Sequence, residues 1–185
     1  LNIFVKPDPR IDVKKKQIAL AKKKFKIKSG DKNILLGIGG SGPTKRIPAS
    51  KFLDFMSFVL KKYKSRFFLA TGKHPDEQKI LREIINSKYK HKCQRLDHLS
   101  INKILPIISS CDISICNDSS FSHLSAALKI KTITLMADTP LIYGSYSSKM
   151  YPIIPNGEKT VTHNTLGKEK IDPQKIFNKF NEIIS

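Results

Sequence analysis

Two short stretches of this 185-residue chain carry the side chains best suited to hold a phosphorylated ligand. The first, residues 39–46, is a Gly/Ser loop that ends in a lysine and an arginine, and such a loop exposes backbone N–H groups. The second, residues 117–123, contains a carboxylate, three hydroxyls and an imidazole. Ser119 and His123 share a face if this stretch opens a helix, because they are four residues apart. Together these groups favour a site for a sugar diphosphate.

A plainer interpretation of each stretch stays open at this point. The first could be a flexible glycine loop whose Lys45 and Arg46 are solvated. The second could be an ordinary helix cap formed by Asp118 or Ser119. Both stretches directly follow predicted strands, however, and ligands of parallel sheets bind at that position. The shared position favours the ligand-binding interpretation.

The glycines of the first loop form a GxGxxG pattern, which is typical of a dinucleotide-binding turn. That turn requires a helix to begin inside the motif, but Pro43 and Pro48 delay the next helix to about residue 48. The acidic residue expected to bind a ribose at the end of the second strand is absent as well, and no Gly-Lys-Ser/Thr follows. We therefore exclude a dinucleotide-binding turn and a Walker A loop.

Apolar strands alternate with amphipathic helices along the chain. This pattern predicts an α/β fold, a Rossmann-like parallel sheet with helices on both faces. The predicted strands are 33–38, 66–70, 93–96, 112–116 and 132–136, with two further short strands at 152–154 and 160–163. The predicted helices are 12–25, 49–63, 75–87, 100–109, 119–128 and 172–184, and a loop is predicted from 137 to 151.

Basic residues greatly outnumber acidic ones, with 34 Lys+Arg against 15 Asp+Glu and a formal net charge of +19. A chain of this charge is attracted to nucleic acid, anionic lipid or a phosphorylated ligand. Only five of the basic residues are arginines, and the lysines are spread through nearly every segment. Because a dedicated nucleic-acid-binding protein usually contains more arginine, we favour a solvated lysine surface over a nucleic-acid-binding module.

The cysteines and the hydropathy of the chain indicate the kind of compartment in which the protein works. Cys93, Cys111 and Cys116 are odd in number and lack CxxC spacing, which argues against disulfides or a zinc site. We expect them to be small buried groups in a reducing compartment. No apolar run approaches the roughly 20 residues of a membrane span, and no signal peptide is recognisable, which predicts a soluble protein. Leu1 in place of an initial Met predicts a piece of a longer protein.

Four segments together resemble one known family in order and spacing: GGSGPTKRIP, FFLATGKHPDEQ, SINKILPIIS and CDISICNDSSFSHLSAALKIKTITLM. They are similar to the carboxyl-terminal half of the ADP-heptose:lipopolysaccharide heptosyltransferases, glycosyltransferase family nine. The resemblance extends over residues 34–146. It implies one half of a B-type glycosyltransferase fold, with residues 31–185 as the domain that binds the nucleotide-sugar donor. Residues 1–30 would be a linker and surface helix leading in from a missing amino-terminal domain.

The resemblance also assigns donor-binding roles to individual residues. Lys45 would lie near the donor phosphates, and Asp76 or Glu77, with Glu77 preferred, would bind the ribose hydroxyls. Asp118 would bind the sugar, and the amides of Ser119 and Ser120 the diphosphate. The implied donor-binding set is Ser41, Lys45, Glu77, Asp118, Ser119, Ser120 and His123.

The implied reaction is transfer of a heptose from ADP-heptose to a lipopolysaccharide core acceptor, with no metal ion and no cofactor. The general base belongs to the amino-terminal domain in this family, so the chain alone is expected to bind donor without transferring sugar. The resemblance further implies a cytoplasmic enzyme, with peripheral contact to an anionic membrane at the inner face of the inner membrane as an option, and no nucleic-acid partner.

Three positions depart from the family pattern. Ser120 stands where the family commonly has Gly, Ile47 replaces an aromatic residue, and Ala-Asp-Thr-Pro at 137–140 replaces Gly-Pro-Thr. A donor with a different sugar or a different nucleotide base is therefore an open alternative. The alternative functions are a sugar-nucleotide epimerase or another B-type transferase, and, less favoured, a basic nucleic-acid-binding module.

Overall fold

Six parallel strands form the centre of the computed structural model, which describes residues 8–185. In spatial order the strands are β3-β2-β1-β4-β5-β6. Their bounds are Lys32–Gly37 (β1), Ser65–Ala70 (β2), Cys93–Arg95 (β3), Ile113–Asn117 (β4), Thr132–Leu135 (β5) and Met150–Ile153 (β6). Each neighbouring pair is parallel. The predicted strands 33–38, 66–70, 93–96, 112–116 and 132–136 are confirmed with small shifts at their ends.

Seven α-helices connect or flank the strands within the described residues. Their bounds are Lys15–Phe25 (α1), Ala49–Lys62 (α2), Pro75–Ile85 (α3), Ile101–Ile108 (α4), Ser120–Ala127 (α5), Ile142–Ser145 (α6) and Pro173–Ile184 (α7). No helix in residues 8–185 combines the length and the apolar character needed to cross a bilayer.

Alternate residues of the strands point to two separate apolar layers. Ile34 and Leu36 pack with α2, α3 and α7 on one face, whereas Leu35 and Phe68 pack with α1, α4 and α5 on the other. All four side chains are fully buried. Because both faces are covered, the residues of β1, β2, β4 and β5 are buried almost throughout instead of alternating between buried and exposed. The predicted α/β class, with helices on both faces of a parallel sheet, is confirmed.

Helix α7 closes the first layer. Asp172 caps it by accepting a hydrogen bond from the Gln174 amide at 2.8 Å, and Pro173 occupies the first turn, as predicted from the sequence. Phe180 of α7 meets Phe55 of α2 edge to face, with ring centroids 5.6 Å apart. This contact fastens the end of the chain to the helix that follows β1.

Helix α1 packs against the second layer through its buried Ala21 and its half-buried Phe25. The guanidinium of Arg66, at the start of β2, donates to the Lys26 carbonyl at 2.9 Å and so fixes the carboxyl end of the helix. The predicted helix starts at residue 12, whereas α1 begins at Lys15. Residues 1–7 of the predicted linker lie outside the described residues.

Three local predictions differ from the structure. The strand predicted at 160–163 is wrong: the segment turns instead, because the Thr162 amide donates to the Thr165 hydroxyl at 2.9 Å. The loop predicted at 137–151 contains α6, whose Gly144 lies against Met136. The last strand starts at Met150 and includes Pro152, which is tolerated because β6 is an edge strand. The hydrophobic periodicity of the sequence does not indicate any of these three features.

Candidate functional site

The two polar stretches meet at the carboxyl edge of the sheet. They follow β1 and β4, which lie side by side in the sheet, so their loops are adjacent although distant in sequence. The ammonium Nζ of Lys45 lies 2.9 Å from Oδ2 of Asp118. Asp118 is only 5% exposed and Lys45 24%, so the ion pair is largely shielded from solvent. The structure therefore brings together the two loops that the sequence singled out.

His123 lies on the other side of the same carboxylate. Its Nε2 is 3.8 Å from Oδ1 of Asp118, while Nδ1 shares a hydrogen bond of 2.9 Å with the Tyr146 hydroxyl. The two rings also stack, with centroids 5.6 Å apart and planes 19° from parallel. Burial raises the pKa of the Tyr146 hydroxyl. Asp118 is thus held between a cation and an imidazole whose orientation Tyr146 fixes.

The first turn of α5 presents backbone donors beside this carboxylate. Ser119 has extended backbone geometry and precedes the helix, and the Ser122 hydroxyl donates to its carbonyl at 2.7 Å. The amides of Ser120 and the residue after it have no acceptor within the helix, as is general for a first turn. The Ser119 hydroxyl is buried and has no hydrogen-bond partner within residues 8–185. This end of α5 therefore offers unused donors and a partial positive charge to an anion.

The peptide of Gly40 is held from both sides. Its amide donates to Oε1 of Glu77 at 2.6 Å, and its carbonyl accepts from Nε of Arg46 at 2.9 Å. A Cβ atom at Gly39 or Gly72 would lie 2.7 Å or 2.4 Å from a carboxylate oxygen of Glu77. Only glycine at these two positions lets the carboxylate approach, so the glycines serve packing around Glu77 instead of chain flexibility.

Of the two acidic residues left open for the ribose, only Glu77 lies in the cleft. Asp76 faces outward, is 63% exposed and pairs with Arg46 at 2.8 Å. Arg46 itself is buried and directed at the Gly40 peptide and Asp76. Sequence reasoning placed Arg46 beside Lys45 as a phosphate ligand or a solvated cation, and the structure shows neither role.

A continuous cleft connects these groups and has two compartments. The first, of about 440 Å³, is lined by Gly39, Gly40, Ser41, Thr71, Gly72, Glu77, Ile101, Ile104, Ser119, Ser120 and Phe121. The second, of about 330 Å³, is lined by Ser41, Lys45, Asp118, Ser119, Ser120, His123, Thr139, Tyr143 and His163. Ser41, Ser119 and Ser120 line both. The first compartment has an apolar wall suited to a flat ring, and the second is lined mainly by residues that carry hydroxyl, imidazole or charged groups.

The cleft thus contains an apolar compartment, a row of serines at a helix start and a polar end with a shielded lysine. Comparison with known sequences agrees with this arrangement, because the sequence model of glycosyltransferase family 9 (heptosyltransferase) matches residues 4–170. The chain belongs to this family. The resemblance drawn from the sequence motifs is confirmed.

Relatives in family 9 support the assignment at the level of sequence and fold. The chain is 27% identical over 161 residues to lipopolysaccharide heptosyltransferase 1 of Campylobacter coli, covering 85% of this chain and 46% of the relative. It superposes on E. coli ADP-heptose lps heptosyltransferase II with a TM-score of 0.76 at 21% identity, covering 95% of this chain and 53% of that one. The E. coli heptosyltransferase WaaC with ADP gives a TM-score of 0.70 at 14% identity, covering 89% and 49%. The chain therefore spans about half the length of these proteins, and the predicted fold, half of a B-type glycosyltransferase, is confirmed.

Several residues of this family 9 cleft were missed in the sequence. Ile101, Ile104 and Phe121 form the apolar wall, and no role was assigned to any of the three from the sequence. Tyr143 and His163 line the polar compartment from segments predicted as a loop and a strand. Position after a strand could have identified the loop that follows β5, whereas nothing in the sequence around His163 indicates the site.

Proposed function

We propose that this family 9 chain is the donor-binding half of a heptosyltransferase that uses ADP-heptose and a lipopolysaccharide core acceptor. One observation carries the proposal: the shielded pair of Lys45 and Asp118 lies beside the unused amides at the start of α5, in a cleft whose other compartment has an apolar wall. This arrangement supplies separate surroundings for the nucleotide's base, the diphosphate and the sugar.

The proposed position of each part of the donor follows from the chemistry of the two compartments. The adenine lies against the apolar wall of the first compartment, and Glu77 accepts hydrogen bonds from the ribose hydroxyls. The diphosphate crosses the shared serines, Ser41, Ser119 and Ser120, where α5 presents free amides. The heptose occupies the second compartment, where Asp118 and His123 bind its hydroxyls.

Protein groups stabilise the charge that develops on the leaving diphosphate. An acceptor hydroxyl attacks the anomeric carbon, the bond to the diphosphate breaks, and ADP departs with additional negative charge. Lys45 and the amide of Ser120 lie beside the proposed position of the diphosphate, and donors held in place in this way favour the transition state. The Ser119 amide donates to the Ser122 hydroxyl at 3.4 Å and would exchange that long bond for one to the diphosphate. The proposal requires no metal ion or cofactor, so donor binding should survive EDTA treatment.

The general base is assigned to an amino-terminal domain that this chain does not contain. Two carboxylates line the cleft, and both are engaged: Asp118 with Lys45, and Glu77 with the Gly40 amide. A carboxylate already paired to a lysine is a weak base for an acceptor hydroxyl. The chain alone therefore binds donor but does not transfer sugar, and turnover by these 185 residues would contradict this part of the proposal.

Calorimetric titration with ADP, GDP and UDP tests the choice of donor. We expect ADP to bind most tightly, with or without EDTA. Preference for UDP or GDP would replace ADP-heptose with another nucleotide sugar, as in other B-type transferases and in epimerases. Competition by double-stranded DNA would support a nucleic-acid-binding module, for which the proposal leaves no role. The proposed reaction belongs to the cytoplasmic side of the membrane, where its nucleotide-sugar donor would be available.

A further inference from the structure

A strongly basic surface lies outside the donor cleft, on the face of the sheet that α1 and α4 cover. It consists of α1 with its flanking residues and the start of α4, and we call it the α1–α4 surface. Between Val13 and Gly30 the chain contains eight lysines and neither Asp nor Glu. The lysines are Lys14, Lys15, Lys16, Lys22, Lys23, Lys24, Lys26 and Lys28. All eight are exposed, and none pairs with a carboxylate within residues 8–185.

An apolar side chain lies at the centre of these lysines. Leu20 is 57% exposed, and helical spacing surrounds it with Lys16 four residues before, Lys23 three after and Lys24 four after. The helix cannot rotate to cover it, because Ala21 is buried against the domain on the neighbouring face. Three of the eight lysines therefore flank a leucine that folding leaves exposed.

A groove of about 250 Å³ runs between α1 and α4 next to this leucine. Its lining residues are Gln17, Leu20, Ala21, Lys24, Phe25, Leu99, Asn102, Lys103 and Pro106. Most of the lining is apolar, and Lys24 and Lys103 contribute a cation from each helix. Apolar atoms flanked by exposed ammonium groups match the boundary between lipid headgroups and acyl chains.

We propose that the α1–α4 surface binds an anionic lipid membrane, with the lysines at the lipid phosphates and Leu20 inserted at the interface. Charge complementarity favours this occupant, because a cluster of lysines without acidic residues is attracted to the negative surface of a lipid bilayer. A nucleic acid would explain the charge but give the leucine and the groove no role. Arginine, the residue best suited to individual phosphates of nucleic acid, is absent between Val13 and Gly30.

Helix α4 links this surface to the donor cleft. Ile101 and Ile104 line the apolar compartment of the cleft, whereas Asn102, Lys103 and Pro106 of the same helix line the groove. A membrane bound at the groove would therefore hold the cleft within one helix width of the lipid surface. Membrane binding does not depend on the proposed donor, and its test needs no nucleotide.

Sedimentation with lipid vesicles tests the proposal on the 185-residue chain. Vesicles of phosphatidylcholine mixed with phosphatidylglycerol should bind the protein, and pure phosphatidylcholine vesicles should not. The variant Lys16→Glu/Lys23→Glu/Lys24→Glu should bind the mixed vesicles at least about a hundredfold more weakly, because each lysine near an anionic surface contributes about fivefold and each glutamate adds repulsion. The matched control Lys61→Glu/Lys88→Glu/Lys90→Glu changes net charge equally at exposed lysines elsewhere and should retain most of the binding.

A second pair of variants tests the leucine. Leu20→Ser should weaken binding to mixed vesicles severalfold, whereas Leu166→Ser, at a leucine 63% exposed, should not. All these side chains are exposed, so circular dichroism should show unchanged folding. An equal loss of vesicle binding in both triple-lysine variants would overturn the proposal, because binding would then depend on the net charge of the whole chain. Equal binding to both vesicle types would also overturn it, as would binding to DNA as tight as to vesicles and insensitive to Leu20→Ser.

Discussion

The carboxylate of Asp118 accepts a hydrogen bond of 2.9 Å from the Lys45 ammonium, although the two residues are 73 positions apart. The contact joins the loop after β1 to the loop after β4 across the line where those two strands pair. Each residue therefore depends on the other for its position. A single substitution would remove a proposed ligand contact and would also leave a shielded charge without its partner.

A double-mutant cycle separates these two effects. Lys45→Met and Asp118→Asn should each weaken ADP-heptose binding by about 1 to 3 kcal/mol, the range for a lost charge-assisted contact. The double variant should lose less than the sum, because neither charge is then left unpaired. Titration calorimetry provides the affinities, and Lys159→Met, at an exposed lysine, serves as the control. Wild-type affinity in both single variants would contradict the site.

Glu77 has a structural role at the Gly40 amide and a proposed role in binding ligand, and two substitutions can distinguish them. Glu77→Ala leaves the Gly40 amide without its acceptor and should lower the free energy of unfolding by about 1 to 3 kcal/mol. Glu77→Gln keeps an acceptor oxygen, so it should retain most of the stability while ADP affinity falls with the loss of the charge. Urea unfolding and ADP titration measure the two quantities.

Asp76→Asn is the matched control for Glu77, because Asp76 is adjacent in sequence but exposed and outside the cleft. It should change the free energy of unfolding by about 1 kcal/mol or less, because Asp76 is exposed and its buried partner Arg46 keeps the hydrogen bond to the Gly40 carbonyl. A larger effect on ADP affinity from Asp76→Asn than from Glu77→Gln would exchange the assignment of the ribose ligand between the two.

The cysteines should resist thiol reagents in the folded protein. Burial raises the pKa of Cys93 and of Cys116 to about 12 each, and it raises that of Cys111 as well. Because the thiolate is the reactive form, an aromatic disulfide reagent at neutral pH should label the native chain slowly and all three thiols after unfolding. Cys93 is only half-buried and should react first. Rapid labelling of Cys116 in native protein would show that the sheet opens beside Gly37.

Asp97 should make stability depend on pH in the acid range. Two hydrogen bonds from Arg95, at 3.1 Å and 2.8 Å, hold the pKa of the Asp97 carboxyl below its usual 3.8. A depressed folded-state pKa adds stability above the unfolded value and loses it as the pH falls through the folded value. Asp97→Asn should therefore cost about 0.5 to 1 kcal/mol at neutral pH and nothing in strong acid.

Urea unfolding at a series of pH values measures this difference between wild type and Asp97→Asn. Asp54→Asn, at an exposed aspartate, provides the baseline. A constant difference at every pH would mean that the substitution acts through packing and not through the charge of the carboxylate.

Much of the fold follows from short-range pattern. The apolar runs that contain Ile34 and Phe68 predict buried strands because helices cover both faces, and Asp172 followed by Pro173 predicts the start of α7. Segments 137–151 and 160–163 were predicted less well. Their conformation depends on single tertiary contacts, such as that of Gly144 with Met136.

The site was predictable where its residues follow strands, as Lys45 and Asp118 do. Their direct contact was not, because it requires β1 and β4 to be neighbours, and strand order is not encoded in local pattern. The role of Arg46 was also missed. In the sequence Arg46 stands next to Lys45. Only the packing shows that its guanidinium donates to the Gly40 carbonyl and does not line the cleft.

The double restraint on the Gly40 peptide has a consequence for the speed of binding. Glu77 and Arg46 order the loop after β1 when the domain folds, so a ligand meets a loop whose conformational entropy is already lost. Association of a nucleotide should then be a single fast phase, without a slow rearrangement after the encounter. Differences in affinity among nucleotides should consequently arise from how long each one stays bound.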